Sequence, residues 1–320
     1  MHVLITGGAG YLGSVLTRHL LNEHHEVRVL DCLLHGPQDH LSELEDVDEF
    51  EFIQGDIRDT ETVAHALNGI DAVVHLAGIV GDPACAREPD LAQEVNYDAS
   101  IRLHDAAIAA GVKRFLFAST CSNYGRMMDA SGYVTESSEL RPVSLYARSK
   151  VEFEQHLLAK CEHGIPPAAV PILLRFATLF GMSPRMRFDL TVNEFTRDLV
   201  RDRHLVVYGE QFWRPYVHVF DAARAILMAL SSSAEEVAGQ VFNVGDTTEN
   251  YKKGQLVTMI CEAVGGDLEI ERVTKNEDPR DYRVSFDRIK TVLGFEITKT
   301  VPDGIHEVMN SVSESAELAS

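Results

Sequence analysis

The chain has 320 residues, 45% of them hydrophobic and 24% charged, which places it in the globular range and leaves room for one large domain or two lobes. Its 29 basic against 49 acidic side chains give a formal charge of -20, which excludes a general attraction to nucleic acid or an anionic membrane and leaves only local basic pockets. Five scattered cysteines (Cys32, Cys85, Cys121, Cys161 and Cys261), none in a Cys-x-x-Cys pair, argue against a disulfide framework and against a zinc knuckle.

The N-terminus enters a strand pattern at once and has neither a signal nor a transit character, and no apolar run reaches the ~18 residues of a membrane helix. A cytoplasmic protein is expected. Short β-branched runs at 3–6, 27–30, 50–53, 72–76 and 114–118 alternate with segments of helical spacing, such as Leu12, Val15, Leu16 and Leu20. Such alternation predicts an α/β fold, a doubly wound parallel sheet of Rossmann type. Helices are expected over 90–110 and 145–161, the second followed by a breaker at 164–167, then a strand over 171–176. Beyond it, helices near 189–201, 221–230 and 255–264 alternate with short strands near 205–208 and 241–244, and the polar tail 311–320 is expected to fray. The expected division is a cofactor-binding layer over 1–175 and a smaller, interleaved C-terminal substrate lobe over 176–320, with 214–244 returning to the first layer.

Gly7, Gly10 and Gly13 recur at a spacing of three in a turn that follows the first strand and opens a helix. A pyrophosphate reaches a helix N-terminus only where no Cβ blocks it, so Gly7, Gly10, Tyr11, Leu12 and Gly13 form a candidate dinucleotide cradle. Asp31 ends the second strand 18 residues after Gly13, placed to accept the adenosine ribose hydroxyls or else to serve as an ordinary strand-end turn residue. No arginine follows it (Cys32, Leu33 and Leu34 do), which favours NAD over NADP. Asp56 and Ile57 after the third strand, and Leu76, Ala77 and Gly78 after the fourth, are candidates for further cofactor contact.

Tyr146 and Lys150 stand four apart on one helical face. A free tyrosine titrates near ~10 and is a poor base at neutral pH, but a neighbouring cation and an oxidised nicotinamide favour its phenolate. Thr120, ending the fifth strand, offers a hydroxyl that can share the proton of a substrate alcohol.

Taken in order, Gly7-x-x-Gly10-x-x-Gly13, Asp56, Leu76-Ala77-Gly78, Thr120 and Tyr146-x-x-x-Lys150 resemble the extended short-chain dehydrogenase/reductase family, and within it the nucleotide-sugar epimerases and dehydratases. The likeness continues through Leu174-Arg175-Phe176-Ala177-Thr178-Leu179-Phe180-Gly181 and Arg214-Pro215-Tyr216-Val217-His218, and so spans nearly the whole chain. It implies that Thr120, Tyr146 and Lys150 are the catalytic trio, that Lys150 also holds the nicotinamide ribose, and that Phe176 belongs to the cofactor site. It further implies that Arg214, with Arg280 or Arg283, binds the diphosphate of a nucleotide-diphosphate sugar, and that the helices over 90–110 and 145–161 build a homodimer.

Four positions depart from the pattern. Sugar 4,6-dehydratases of this kind carry Asp-Glu after the catalytic Thr/Ser, where this chain has Cys121-Ser122. Those two are catalytic auxiliaries only if the thiol is strongly activated; otherwise Cys121 is a small buried residue. Thr178 stands for the usual Asn beside the substrate phosphate, and Pro215 for the usual Asp. Arg185 and Arg187 form either a basic rim over an anionic substrate or a solvated loop. None of the 14 histidines falls in a recognised metal motif, and no metal is expected. The resulting expectation is an NAD-dependent nucleotide-sugar epimerase that inverts C4 through a transient 4-keto sugar. A net ketosugar reductase or sugar dehydrogenase is the near alternative, a dehydratase a further one, and an NAD-sensing module the alternative without chemistry.

Overall fold

Strands that are apolar on both sides need cover on both sides, and the first half of the chain alternates such strands with helices that supply it. The computed structural model describes residues 1–34, 36–37, 39–127, 132–161, 168–275 and 280–317, the side chains of 315–317 aside. The chain runs β1 (His2–Thr6), α1 (Tyr11–Asn22), β2 (Glu26–Asp31), β3 (Phe50–Gln54), α2 (Thr60–Ala66) and β4 (Ala72–His75). Short helices α3 (Asp82–Arg87) and α4 (Pro89–Gln93) lead through a π turn (Glu94–Asp98) into α5 (Ala99–Ala109). Then come β5 (Arg114–Thr120), a 3-10 turn (Cys121–Tyr124), α6 (Leu145–Ala159) and β6 (Val170–Phe176).

The remainder adds β7 (Thr178–Phe180), α7 (Thr191–Arg201), β8 (His204–Tyr208), β9 (Trp213–His218), α8 (Val219–Ser231) and α9 (Ala234–Val237). It closes with β10 (Gln240–Val244), β11 (Asn250–Lys252), α10 (Lys253–Val264), β12 (Glu269–Val273), α11 (Asp287–Leu293) and α12 (Val301–Glu317).

Seven strands form one parallel sheet in the order β10-β6-β5-β4-β1-β2-β3. This is the expected doubly wound α/β fold. The chain leaves β1 in one direction through β2 and β3, then crosses back to β4, so the crevice for a ligand opens between the C-terminal ends of β1 and β4. One face of the sheet packs on α1 and α8 through Leu16, Leu20, Ile226 and Leu230, the other on α2, α5 and α6 through Val63, Leu103, Phe153 and Leu157. A second core, around Phe180, Phe195, Leu205, Tyr216 and Ile260, holds α7, α10 and α12 together with the small sheets β11-β9-β7 and β12-β8.

Two elements differ from expectation. The helix over 90–110 is interrupted by the π turn, where Asn96 turns its amide inward and Ser100 Oγ donates to the carbonyls of Val95 and Asn96, competing with the helical ladder. The tail does not fray from 311: α12 continues to Glu317 because Val301, Ile305, Val308 and Val312 form one buried stripe. The breaker at 164–167 and the pair Asp278 and Pro279 lie outside the described residues.

Candidate active site

The glycine turn is closed by backbone contacts that exclude side chains. Gly7 adopts φ +75°, and a Cβ there would stand 2.7 Å from the Ala77 nitrogen. A Cβ on Gly13 would stand 2.5 Å from the Gly7 carbonyl oxygen, so α1 begins hard against the turn. Gly10 caps α1 without any side-chain hydrogen bond, which leaves the helix N-terminus to a ligand. Asp31 closes the other side: its carboxylate accepts the Ala9 N–H at 3.0 Å and the Leu33 N–H at 2.9 Å. Tyr11 contributes only its backbone to this turn. Its hydroxyl is buried, donates to the Gly181 carbonyl at 2.6 Å and accepts from Asn193 Nδ2 at 3.2 Å, tying the turn to β7 and α7. Leu12 is packed in the core against the sheet.

Beneath the crevice lies a polar chain that sequence reading missed. Thr6 Oγ1 meets His75 Nδ1 at 2.7 Å, and His75 Nε2 meets Ser100 Oγ at 2.8 Å, joining β1 and β4 to the first turn of α5. Burial drives the His75 imidazole down to about 3, so the ring is neutral. Asn96 completes the floor: its Oδ1 accepts the Ile79 N–H at 2.7 Å and its Nδ2 donates to the Ile79 carbonyl at 3.0 Å. A Cβ on Gly78 would stand 2.9 Å from that Asn96 Oδ1, which explains the small residue after Leu76 and Ala77. Asp56, after β3, is paired with the Arg58 guanidinium at 2.7 Å, and Ile57 is buried.

Tyr146 and Lys150 lie on the first two turns of α6, whose N-terminus Ser144 caps by accepting the Ala147 N–H at 3.1 Å. Lys150 Nζ donates to the Ala118 carbonyl at 2.9 Å, sits 4.5 Å above the Phe117 ring and 6.0 Å from the Tyr146 ring centroid. A Cβ on Gly78 would stand 3.9 Å from this Nζ, so the ammonium borders the crevice. Burial lowers the Lys150 pKa to about 8 and raises that of the Tyr146 phenol, while the Arg187 guanidinium draws the phenol back down. Lys150 alone therefore does not make a phenolate. Arg187 in turn is paired with Asp189 at 2.5 Å.

Thr120 ends β5 with its Oγ1 accepting the Ser122 N–H at 3.1 Å, an arrangement that keeps its O–H available as a donor. Ser122 meets the Tyr282 hydroxyl at 3.4 Å, and Tyr282 stacks under Arg214 at 5.6 Å. Arg214 also donates to the Trp213 carbonyl at 2.6 Å. Arg280 binds Asp82 of α3 at 2.9 Å, and Arg283 stacks on Trp213 and Tyr133 at 5.1 and 4.8 Å. Thr120, Ser122, Tyr146 and Lys150 are thus gathered with Arg187, Arg214 and Tyr282. Thr178 lies beside Tyr216 in the small sheet, Phe176 is buried at the end of β6, and Arg185 is half-buried in the loop before α7.

A family model described as the NAD dependent epimerase/dehydratase family matches residues 3–245. The chain belongs to this family. Among relatives, the low-salt glycan biosynthesis protein Agl12 of Haloferax volcanii is 31% identical over 312 residues, covering 95% of this chain and 96% of its own. Two solved structures have a TM-score of 0.87 to the chain. The UDP-glucose 4-epimerase of Thermotoga maritima with UDP-glucose is 26% identical and covers 99% of this chain and 100% of its own. DesIV, the dTDP-glucose 4,6-dehydratase of Streptomyces venezuelae with NAD and TYD bound, is 27% identical and covers 99% and 98%. Overall likeness therefore does not separate the two reactions.

The cofactor of this epimerase/dehydratase-family chain is NAD. The residues present fit it: the cradle that a Cβ at Gly7 or Gly13 would fill lies at an uncapped helix N-terminus, with a carboxylate at the end of β2. Cys121, the first of the two residues after Thr120, faces the core. Its thiol is 1% exposed, donates to the Arg175 carbonyl at 3.2 Å, and is pushed far up in pKa by burial, the opposite of what activates a thiol. Behind it lies a buried ion pair that sequence reading also missed, Glu154 with Arg175 at 2.6 Å. Its only legible signal was a carboxylate at Glu154, four residues past Lys150 on the same face of α6. No helix among the described residues is long and apolar enough to cross a membrane.

Proposed function

We propose that the chain is an NAD-dependent nucleotide-sugar epimerase that inverts a sugar carbon, C4, through a transient 4-keto sugar. The observation that carries this reading is the surroundings of Cys121. Elimination of water needs an acid and a base beside the sugar, and the chain offers there a buried, protonated thiol and the Ser122 hydroxyl. The groups for reversible alcohol oxidation are all present.

On this reading Gly7, Gly10, Gly13 and the backbone of Tyr11 and Leu12 cradle the pyrophosphate, Asp31 takes the adenosine ribose, and Lys150 the nicotinamide ribose. Bound NAD supplies the acceptor and later the donor of hydride. Tyr146 takes the proton of the sugar hydroxyl at its phenol oxygen, with Arg187 offsetting the cost of the buried anion. Thr120 donates its O–H to the same sugar oxygen and keeps it in place. Arg214, Arg280 and Arg283, cations in an acidic protein, hold the diphosphate while the keto-sugar turns over in the cleft. A homodimer through α5 and α6 belongs to this reading on the family likeness alone, since the half-buried Tyr97, Ile101 and Ile108 pack against the chain's own core.

The test is incubation with a panel of nucleotide sugars, without added nicotinamide, followed by NMR. A C4-inverted sugar with no accumulation of reduced cofactor is expected. A 4-keto-6-deoxy sugar would instead mark a dehydratase, and stoichiometric reduced cofactor a dehydrogenase.

A further inference from the structure

At the end of the sheet opposite the cofactor turn, α5 and α6 bring together three side chains with metal-binding atoms. His104 and Asp105 stand on α5 and His156 on α6, and one ligand atom from each lies within 4.8 Å of the others. His104 is wholly buried, and its Nε2 bonds the Ala169 carbonyl at 3.0 Å, just before β6. A carbonyl only accepts, so the proton of the neutral ring is on Nε2 and the Nδ1 lone pair is bare. Among the described residues that buried Nδ1 has no hydrogen-bond partner, and neither has His156 Nε2. The two rings stand edge to face, their centroids 6.4 Å apart.

Two buried imidazole nitrogens without partners on facing helices are costly unless something occupies the space between them. A ligating histidine usually donates its other ring N–H to a carbonyl or carboxylate, as His104 does here. We propose that His104 Nδ1, His156 Nε2 and the Asp105 carboxylate bind a transition metal, zinc in chemical type, that clips α5 to α6. Two imidazoles and one carboxylate suit zinc better than magnesium or calcium, and a water completes the tetrahedron. Zinc–nitrogen bonds of about 2.0–2.1 Å require the three ligands to draw together on binding. The Lys160 ammonium, 3.4 Å from Asp105 Oδ1, lies on a half-exposed side chain that can swing aside.

The site is structural rather than catalytic. Ala169 and Phe115, which flank His104, stand at the N-terminal ends of β6 and β5, whereas Thr120 and the glycine turn lie at the C-terminal ends of the strands. The same α6 carries Tyr146 and Lys150, so zinc should steady that helix without entering the reaction.

The full chain, stripped with chelator and dialysed against zinc or magnesium, decides the matter. One zinc per chain should survive gel filtration, and saturating zinc should raise the thermal midpoint by roughly 5 °C. Cobalt should give the visible bands of a tetrahedral site. His156→Ala and Asp105→Asn should each lower zinc affinity by at least ~10-fold and remove the cobalt bands. Asp105 is exposed, so its variant keeps the test valid even where His156→Ala fails to fold. Zinc that is not retained, or is retained equally by the wild type and the Asp105→Asn chain, overturns the proposal, as does an equal response to magnesium.

Discussion

Lys150 shows how far a functional side chain can oppose the fold that carries it. Burial shifts its pKa from 10.5 to about 8, so between those values the unfolded chain binds the extra proton and the folded chain does not. Stability therefore rises with pH across that window, and below about 8 the full cost of the buried charge is present, on the order of 3 kcal/mol. Lys150→Met should abolish turnover yet stabilise the cofactor-free chain at pH 7 by about 1–3 kcal/mol in urea unfolding. The gap between variant and wild type should narrow by pH 10; a gap independent of pH would refute the assignment. Tyr146→Phe should cut turnover by about 10²–10⁴-fold while calorimetry finds NAD binding retained. A sensing module would be indifferent to that change. Tyr146, Lys150 and Thr120 were legible because their chemistry lies in residue type and a short spacing. The fate of Cys121 was not, since whether a thiol ionises depends on the Arg175 carbonyl and the packing around it, both distant in sequence.

At the scale of elements, the position of α6 over β5 and β6 rests on Glu154. Its carboxylate takes the Arg175 guanidinium and accepts Asn123 Nδ2 at 3.0 Å and the Ser119 hydroxyl, while Arg175 reaches the Tyr124 hydroxyl at 3.1 Å. Glu154→Ala strands a buried cation and should cost about 3–5 kcal/mol in denaturant unfolding, with a matching loss of activity because Ser119 of the network precedes Thr120 in β5 and Glu154 stands one turn past Lys150 on α6. An exposed pair such as Arg141 with Glu139 should cost well under 1 kcal/mol when broken by the same measurement. In the second core, His218 caps α8 by accepting the Phe220 N–H at 3.1 Å and donates from Nε2 to Glu307 of α12 at 2.8 Å. This contact first, with the Lys299 ammonium beside it, lowers the Glu307 pKa from 4.5 to about 2, so their stabilisation is present above 4.5 and fades as pH falls towards 2. Glu307→Gln should remove that part of the acid-unfolding curve, seen by circular dichroism. The buried parallel strands were readable from their apolar runs, whereas β7 and β11, three residues each, carry too little pattern to stand out. The π turn was hidden for another reason: it depends on Asn96 reaching Ile79, a contact between elements.

For the whole molecule, the formal charge of -20 coexists with Arg187, Arg214, Arg280 and Arg283 near the proposed site, two of them paired with Asp189 and Asp82. The layers are harder to divide than their order suggests. The cofactor sheet is not complete at residue 175, because β10 pairs with β6 from Gln240–Ile172 to Val244–Phe176. The face of α1 and β6 is likewise covered by α8, where Val219, Ala222, Ile226, Ala229 and Leu230 are buried. A chain of residues 1–175 would leave Leu16, Leu20, Ile172 and Leu174 uncovered and β6 as a bare edge. We expect that fragment to aggregate or to persist as a molten ensemble, with far-ultraviolet dichroism but little near-ultraviolet signal and no cooperative melt. Dispersed amide resonances and a sharp transition from 1–175 alone would show that the returning segment is an addition to the cofactor layer rather than part of its core.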